Sequence, residues 1–214
     1  MKMMIIGPQG SGKGTYADRL SEKFGVPHIS TGEIFRENIK QKTELGKNIE
    51  KFVNSGLLVP DDVTMKVVEE RINKPDCKKG FIFDGFPRTI KQAEELEKIS
   101  SLDVVLYIDC PEWLLVKRMS SRITCKNCGK IYNLLNVKPK KEGVCNDCEG
   151  KLVVREDETP EAIKMRLKEY EKGTKPLIDY YDKKGILKRF YNDVFERSPE
   201  ECVSKILDIL GVKK

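Results

Sequence analysis

The sequence contains almost no histidine. Only one of its 214 residues, His28, is a histidine, whereas 40 are lysine or arginine and 34 are aspartate or glutamate. Without His28, neither a Ser-His-Asp nor a Cys-His catalytic arrangement can be built. Because His28 lies inside an apolar run typical of a strand, we interpret it as a hydrogen-bonded structural residue. The sequence therefore favours a chemistry that needs no histidine base.

Long hydrophobic runs are also missing. No apolar run approaches the ~18 residues that a membrane-spanning helix requires, and the sequence begins directly with strand-forming residues. We therefore expect no signal peptide, no membrane anchor and a cytoplasmic location. Internal repeats and low-complexity tracts are absent, so the length favours one large α/β domain that carries insertions.

Basic residues are concentrated in one segment. The chain has a formal charge of +6, and residues 122–155 contain eight basic but only three acidic residues. The rest of the chain is therefore nearly neutral, which disfavours a broadly basic nucleic-acid-binding surface and indicates a local basic segment. A zinc-ribbon nucleic-acid-binding module fused to a nucleotide-binding domain remains an alternative interpretation of this segment.

Four of the seven cysteines form two Cys-x-x-Cys pairs with sixteen residues between them. This spacing predicts a zinc-ribbon-like metal site with Cys125, Cys128, Cys145 and Cys148 as ligands. Iron and a redox dithiol are weaker alternatives. Four thiolates leave no open coordination position, so we expect a structural metal that stabilises a segment too small to form its own core. We interpret the other three cysteines, Cys77, Cys110 and Cys202, as small semi-buried hydrophobic residues.

Short apolar runs alternate with amphipathic segments along the chain. The runs predict five strands, at Met3–Ile6, Pro27–Ser30, Phe81–Phe83, Val104–Ile108 and Ile186–Phe190. Helices are predicted near Thr15–Lys23, Glu33–Lys42, Leu45–Ser55, Asp61–Asn73, Ile90–Ile99, Pro111–Ser121, Pro160–Lys172, Pro176–Lys183 and Pro199–Leu210. This alternation indicates a parallel sheet, and the segments about 30–73 and 122–154 look like insertions that cover the ligand crevice from opposite sides.

The most informative motif is Gly-Pro-Gln-Gly-Ser-Gly-Lys-Gly-Thr at residues 7–15, directly after the first strand. The spacing of Gly7, Gly12 and Lys13 matches the P-loop, although Gly14 occupies the usual hydroxyl position and Thr15 follows it. Such a loop directs backbone N–H groups at a polyphosphate, and Lys13 adds a positive charge. The motif predicts a nucleotide-binding site.

A carboxylate and several arginines are candidates for phosphoryl-transfer chemistry. Asp84 ends the third predicted strand, where P-loop proteins place the carboxylate that organises Mg²⁺. Arginine presents paired donors to phosphate oxygens, and the candidates are Arg36, Arg88, Arg122, Arg155 and Arg166. Phosphoryl transfer depends mainly on positioning and charge stabilisation, which fits the near absence of histidine.

Over nearly its entire length the chain resembles the adenylate kinase family in its long form with a zinc-bearing lid. The resemblance rests on residues 7–15, His-Ile-Ser-Thr-Gly-Glu at 28–33 with Arg36, Gly-Leu-Leu-Val-Pro-Asp-Asp at 56–62, Phe-Asp-Gly-Phe-Pro-Arg-Thr at 83–89 with Gln92, the lid from Arg122 to Arg155, Tyr170 and residues 175–178. It implies an α/β, three-layer P-loop fold with a five-stranded parallel sheet flanked by helices, a helical AMP-binding insertion and a small zinc-ribbon-like β lid. The implied boundaries are a core of 1–29, 60–121 and 156–214, an insertion of 30–59 and a lid of 122–155.

The resemblance also implies the reaction and its residues. The expected reaction is ATP + AMP = 2 ADP, with Mg²⁺ and a structural Zn²⁺ as cofactors, no nucleic-acid or membrane partner and a monomer as the default state. The implied catalytic residues are Lys13, Asp84, Arg88, Arg122, Arg155 and Arg166. ATP would contact Gly10, Ser11, Gly12, Lys13, Gly14, Thr15, Arg118 and Arg122. AMP would contact Thr31, Gly32, Arg36, Leu58, Val59, Gly85, Arg88, Gln92, Arg155 and Arg166. Asp157 and Glu158 match the acidic lid-hinge residues that pair with arginines.

Some positions depart from the family pattern. Gln9 stands where many members have proline or alanine, and residues 191–199 lack the usual glycine-containing loop around the donor base. ATP as the donor is therefore inferred from the family. A kinase for another nucleoside monophosphate, or one with GTP as donor, is the alternative within the same class.

Overall fold

The structure is a computed structural model of the 214-residue chain and describes residues 1–135, 137–155, 158–194 and 197–212. Within these residues the strands are β1 (Lys2–Ile6), β2 (His28–Ser30), β3 (Phe81–Asp84), β4 (Val104–Asp109), β5 (Arg122–Cys125), β6 (Ile131–Asn133), β7 (Leu152–Val153) and β8 (Leu187–Tyr191). The helices are α1 (Lys13–Phe24), α2 (Thr31–Lys40), α3 (Glu44–Asn54), α4 (Asp61–Ile72), α5 (Ile90–Ile99), α6 (Glu112–Met119), α7 (Pro160–Glu169), α8 (Pro176–Lys183) and α9 (Pro199–Ile209).

The main sheet is parallel and has five strands in the order β2-β3-β1-β4-β8. All five predicted strands form it, each within one residue of its predicted ends. The strand order reverses around β1, which has β3 on one side and β4 on the other. In an open parallel sheet this point creates a crevice beyond the carboxyl ends of the strands.

Helices cover both faces of this sheet, because successive residues of a strand point to opposite faces. Met3 and Ile5 of β1 pack with residues of α1 and α9, whereas Met4 and Ile6 pack with residues of α4, α5 and α8. The two buried clusters lie on either side of the sheet. The expected three-layer α/β fold is therefore confirmed.

The insertion between β2 and α4 is helical and has its own apolar cluster. Phe35 of α2, Ile49 and Val53 of α3, and Val59 are buried together. Helices α2 and α3 approach closely at Gly46, where an added Cβ would lie 2.1 Å from the Asn38 carbonyl oxygen. Glycine at this position lets the two helices cross backbone to backbone.

A second small sheet lies between α6 and α7. Strand β5 pairs antiparallel with both β6 and β7, giving the order β6-β5-β7. Its buried cluster contains Cys125, Tyr132, Cys145 and Leu152. Two of these four core residues are cysteines from the two Cys-x-x-Cys pairs, so the segment depends on its metal site for much of its interior.

Several predicted helix ends were wrong by two or three residues, among them both ends of α2, the end of α6 and the two described next. The first helix begins at Lys13 rather than Thr15, because Gly12 adopts a left-handed conformation (φ 97°) and the helical backbone starts directly after it. The helix predicted to run through Lys172 ends at Glu169 and continues as one π turn, Tyr170–Thr174. No helix within the described ranges is both long enough and apolar enough to cross a membrane.

Candidate active site

A cavity of about 1270 Å³ lies beyond the carboxyl ends of β1 and β3. The phosphate loop lines it from the core, the α2–α3 insertion from one side and the small sheet from the other. Its volume exceeds the ~1000 Å³ upper range of pockets for a single small ligand. The cavity therefore has room for two ligands.

The phosphate loop joins β1 to α1. Gly10 and Gly12 have φ angles of 86° and 97°, a left-handed backbone that disfavours other residues. This conformation turns the loop around the amino-terminal end of α1, whose first N–H groups have no partner within the helix. Ser11 is fully buried and lies outside the cavity lining, so only its backbone is placed to serve a phosphate.

Lys13 begins α1 and lies deep in the cavity. Its Nζ donates to the Pro8 carbonyl oxygen, 2.8 Å away. Burial lowers the pKa of Lys13 to about 8, because a charged ammonium loses its hydration there, while the negative charge of Asp84 acts in the opposite direction. A bound anion would complete the compensation that Asp84 begins.

Asp84, at the end of β3, faces the start of α1. A Cβ on Gly14 would lie 3.3 Å from Asp84 Oδ2, so the glycine brings the carboxylate next to the phosphate loop. The carboxylate lines the cavity and is 16% exposed, which leaves oxygen atoms accessible to a hard cation. A Mg²⁺ ion fits this donor type at this place.

His28 lies behind Asp84 and serves a structural role, as its strand position predicted. Its Nδ1 is 2.6 Å from Asp18 Oδ1 and its Nε2 is 3.9 Å from Asp84 Oδ2. Burial alone would lower the pKa of His28, but the hydrogen bond with Asp18 and the charge of Asp84 outweigh it and raise the pKa above its ordinary value. The imidazole thus supports the carboxylates beside the loop.

Arg88 is held by hydrogen bonds of its side chain and its backbone to three other residues. Its Nε donates to Gly85 O at 2.8 Å and its backbone N–H to Gln92 Oε1 at 2.7 Å, while its carbonyl oxygen accepts from Thr174 Oγ1 at 3.1 Å. Burial lowers the pKa of Arg88, with Asp84 opposing and Arg166 reinforcing that shift. The Arg88 guanidinium is therefore preorganised and close to Asp84 and Arg166.

Arg122 begins β5 and Arg155 follows β7, so the antiparallel pairing of these strands brings both arginines to the same end of the small sheet, where they line the cavity. Both contact the carboxylate of Glu158: Arg122 through a close ion pair, and Arg155 with Nη1 3.8 Å from Oε1. These side chains are at most 16% exposed. Asp157, the other predicted hinge residue, lies outside the described residues.

Arg118 connects α6 with the phosphate loop. Its Nη1 donates to the Ser11 carbonyl oxygen at 3.2 Å. With the amide of the buried Asn192 turned to satisfy its neighbours, Asn192 accepts from Arg118 and from Tyr16. The start of the atypical segment 191–199 therefore contacts the predicted ATP-binding arginine.

The predicted acceptor-site residues lie together at the other side of the cavity. Thr31 Oγ1 donates to Gly85 O at 3.0 Å, which joins α2 to the turn after β3. The cavity lining includes every predicted AMP-binding residue, namely Thr31, Gly32, Arg36, Leu58, Val59, Gly85, Arg88, Gln92, Arg155 and Arg166. The structure thus brings the predicted donor-side and acceptor-side residues to one cavity, Ser11 excepted.

The four predicted metal ligands also converge. Their sulfur atoms all lie within 4.8 Å of one another, with Cys125 and Cys148 3.4 Å apart and Cys128 and Cys145 3.6 Å apart. A tetrahedral zinc with Zn–S bonds of about 2.3 Å separates its ligands by about 3.8 Å, so the cluster fits Zn²⁺. Backbone N–H groups of Asp147 and Cys148 point at Cys145, as expected for thiolates.

Sequence reasoning missed two supporting contacts. Asp61 accepts a hydrogen bond from Gln92 Nε2 at 2.7 Å, and Thr174 holds the Arg88 backbone. Asp61 lies within the 56–62 motif but had no role assigned to it, Thr174 lies in no motif, and each is far from its partner in sequence. The sequence did draw attention to a third residue, Gln9, because this position departs from the family pattern. Both of its amide atoms are buried with no hydrogen-bond partner in the part of the chain that the structure describes.

A P-loop, an adjacent carboxylate, buried arginines and an acceptor pocket in one cavity define a P-loop phosphotransferase with two nucleotide sites. The adenylate kinase family model matches residues 5–186. The chain is 45% identical to an adenylate kinase of Caldicellulosiruptor bescii over 100% of both chains. It is 47% identical to one of Clostridium tetani over 92% of this chain and 95% of that protein, and 50% identical to one of Thermosipho melanesiensis over 87% and 90%. The chain belongs to the adenylate kinase family.

Proposed function

We propose that this chain catalyses the reversible, Mg²⁺-dependent transfer of a phosphoryl group from ATP to AMP, which yields two ADP. The observation that supports this most strongly is the shared cavity. The cavity is lined by the phosphate loop with Lys13, by the acceptor residues, and by Arg88 and Arg166. In-line transfer requires two nucleotides face to face with positive charge at the reacting phosphoryl group.

The chain divides into three functional parts in this proposal. Residues 1–29, 60–121 and 156–214 form the core, residues 30–59 the AMP-binding insertion and residues 122–155 the zinc-bearing lid. The insertion and the lid each have a small buried cluster of their own, which supports treating them as units that move relative to the core.

The nucleotides occupy opposite sides of the cavity. The ATP phosphates bind Gly10, Ser11, Gly12, Lys13, Gly14 and Thr15 through the loop backbone, and Arg118 and Arg122 approach from α6 and the lid. AMP binds the acceptor residues from Thr31 to Gln92 identified above, with Arg155 and Arg166 at its phosphate. In this arrangement a phosphate oxygen of AMP would attack the γ-phosphoryl group of ATP in line.

The protein stabilises charge as the phosphoryl group moves. Mg²⁺, when bound to ATP beside Asp84, neutralises phosphate charge. Lys13 contacts the oxygens of the phosphoryl group as it is transferred. Paired guanidinium donors come from Arg88, Arg122, Arg155 and Arg166. Because these side chains are buried, each donor acts in a site of low dielectric where it is stronger than in water. No side chain has to abstract a proton from the acceptor phosphate.

Closure of the lid excludes water from this cavity. Arg122 and Arg155 are the first and last residues of the lid and lie side by side, so its closure brings both guanidinium groups to the phosphates and removes solvent at the same time. Zinc holds the lid rigid without touching substrate. A cytoplasmic location also belongs to this proposal, since reduced thiolate ligands persist in a reducing compartment.

The test measures ADP formation by purified protein with Mg²⁺, ATP and AMP. Lys13→Ala is expected to abolish turnover nearly completely, whereas Lys66→Ala, on the exposed face of α4, is expected to leave it unchanged. Comparing AMP, GMP, CMP and UMP as acceptors, and ATP with GTP as donors, distinguishes the alternatives. Absence of ADP formation by the unmodified protein would refute the proposal.

A further inference from the structure

The side-chain amide of Gln92 is fixed from both ends. Gln92 lies in the first turn of α5, is 2% exposed and lines the acceptor side of the cavity. Its Oε1 accepts the Arg88 backbone N–H at 2.7 Å, and its Nε2 donates to Asp61 Oδ1 at 2.7 Å. The two neighbours therefore contact the two different ends of the amide.

These two neighbours determine which of its two possible orientations the Gln92 amide adopts. A backbone N–H can only donate, and an ionised carboxylate can only accept. In the opposite orientation, Gln92 Oε1 would face the Asp61 carboxylate and its Nε2 would face the Arg88 N–H. Both hydrogen bonds would be lost and two like groups would be brought together, so the observed orientation is the only one that both neighbours support.

The fixed amide leaves one N–H and one oxygen lone pair for a ligand. An adenine edge offers a ring-nitrogen acceptor beside the 6-amino donor, which matches a donor and an acceptor placed side by side. A 6-oxopurine has an acceptor oxygen where adenine has the amino group, and its N1 carries a proton. To pair with that edge the amide would have to turn over.

We propose that Asp61 is a positioning residue that determines acceptor specificity: by holding Gln92 in one orientation, it makes the acceptor site select a 6-aminopurine over a 6-oxopurine. The inference rests on the proposed function, since it concerns the acceptor of the same reaction. Asp61 itself touches Gln92 and not the cavity, whose lining does not include it.

The position of Asp61 suits this role. It is the first residue of α4, the helix that follows the AMP-binding insertion. Its Oδ2 lies 4.0 Å from the Nζ of Lys91, the residue before Gln92, and its side chain is 27% exposed. Because the side chain of Asp61 is partly exposed, replacing its carboxylate with the isosteric amide of asparagine leaves no unpaired charge buried.

The experiment compares AMP with IMP, which carries oxygen at position 6 and no group at position 2. The kcat/KM ratio of AMP to IMP is measured for the unmodified protein, for Asp61→Asn and for Asp61→Ala. The substituted carboxamide of Asp61→Asn can donate as well as accept, so it no longer opposes the turned-over amide. We expect the ratio to fall by about tenfold or more, mainly through better use of IMP.

Asp62→Asn is the matched control, because it removes the same charge from the same first helical turn at an exposed side chain. We expect it to keep the original ratio. Partial unfolding of a variant lowers the rates with both acceptors equally and leaves their ratio unchanged, so the ratio reports orientation rather than stability. Calorimetric affinities for AMP and IMP give a second readout that is independent of turnover.

The outcomes separate the two proposals. If the unmodified protein makes no ADP from ATP and AMP, the proposed function fails. If it selects AMP over IMP and both Asp61 variants keep that ratio within twofold, the role of Asp61 is overturned while the proposed function stands. A lower ratio in both Asp61 variants, but not in Asp62→Asn, supports the inference.

Discussion

The carboxylate of Glu158 lies between the guanidinium groups of Arg122 and Arg155. Its Oε1 is paired with Arg122 and lies 3.8 Å from Arg155 Nη1, and its side chain is only 5% exposed. A carboxylate presents the same acceptor geometry to arginine as a phosphate does. Glu158 therefore places one negative charge beside both arginines that we assign to the phosphoryl group.

Replacing this carboxylate tests that relationship. Glu158→Gln removes the carboxylate that both guanidinium groups contact, which destabilises the nucleotide-free protein by about 3 kcal/mol. Bound ATP supplies the missing charge, so we expect the destabilisation to shrink when nucleotide is present. Calorimetric unfolding with and without ATP measures it. The control is Glu161→Gln, at an exposed position in the first turn of α7; equal destabilisation with and without ATP would contradict the prediction.

The sheet was predictable because its three central strands, β3, β1 and β4, are short apolar runs buried on both faces. Met3 to Ile6 point alternately into two separate cores, and such a run needs no partner information to be recognised as a buried strand. The end of α7 was not predictable in the same way. The chain turns at Tyr170–Thr174 because Gly173 and Thr174 pack against the Arg88 backbone, where a Cβ on Gly173 would lie 3.0 Å from Arg88 O. That contact joins segments 86 residues apart.

The same distinction applies to the site. The phosphate loop and the cysteine pairs carry their chemistry in local spacing, so the sequence indicated them directly. The contact between Asp61 and Gln92 spans 31 residues, and nothing in the local pattern of either residue indicates it. Residues that orient a side chain are recognised only when the fold brings them together.

Removing zinc is expected to destabilise the lid before the core. The core of the lid is largely its two buried cysteines with Tyr132 and Leu152, so loss of the metal leaves too little apolar contact to hold it. We expect one zinc per chain by elemental analysis and a lower melting temperature after chelation. Hydrogen exchange should localise the first opening to residues 122–155. An unchanged melting temperature in zinc-free protein would show that the metal is not structural.

The depressed pKa of Lys13 predicts how stability depends on pH. Burial lowers the folded-state pKa to about 8 from 10.5, so the unfolded state binds more protons between these values and stability rises with pH in this range. Lys13→Met lacks this dependence. Between pH 7 and pH 10, the free energy of unfolding of the unmodified protein should therefore rise by about 2 kcal/mol more than that of the variant. Denaturant unfolding without nucleotide measures both, and parallel pH profiles would contradict the lowered pKa.

The lid contacts the AMP-binding insertion directly. Lys40 Nζ, at the end of α2, donates to the carbonyl oxygen of Asn127, which lies between the first two zinc ligands, at 3.4 Å. Such an exposed hydrogen bond contributes about 0.5 kcal/mol, so Lys40→Ala should raise the population of the open lid about twofold. The distance between dyes placed on the lid and on the insertion, followed by single-molecule fluorescence, measures that population.

Lys47→Ala provides the comparison for this contact, because Lys47 is an exposed lysine of the same insertion whose ion pair, with Glu44, stays within α3. It should leave the open fraction unchanged. Since the acceptor oxygen belongs to a zinc knuckle, chelation should remove the difference between Lys40→Ala and the unmodified protein. If Lys40→Ala opens the lid equally with and without zinc, the contact with Asn127 does not link the two insertions.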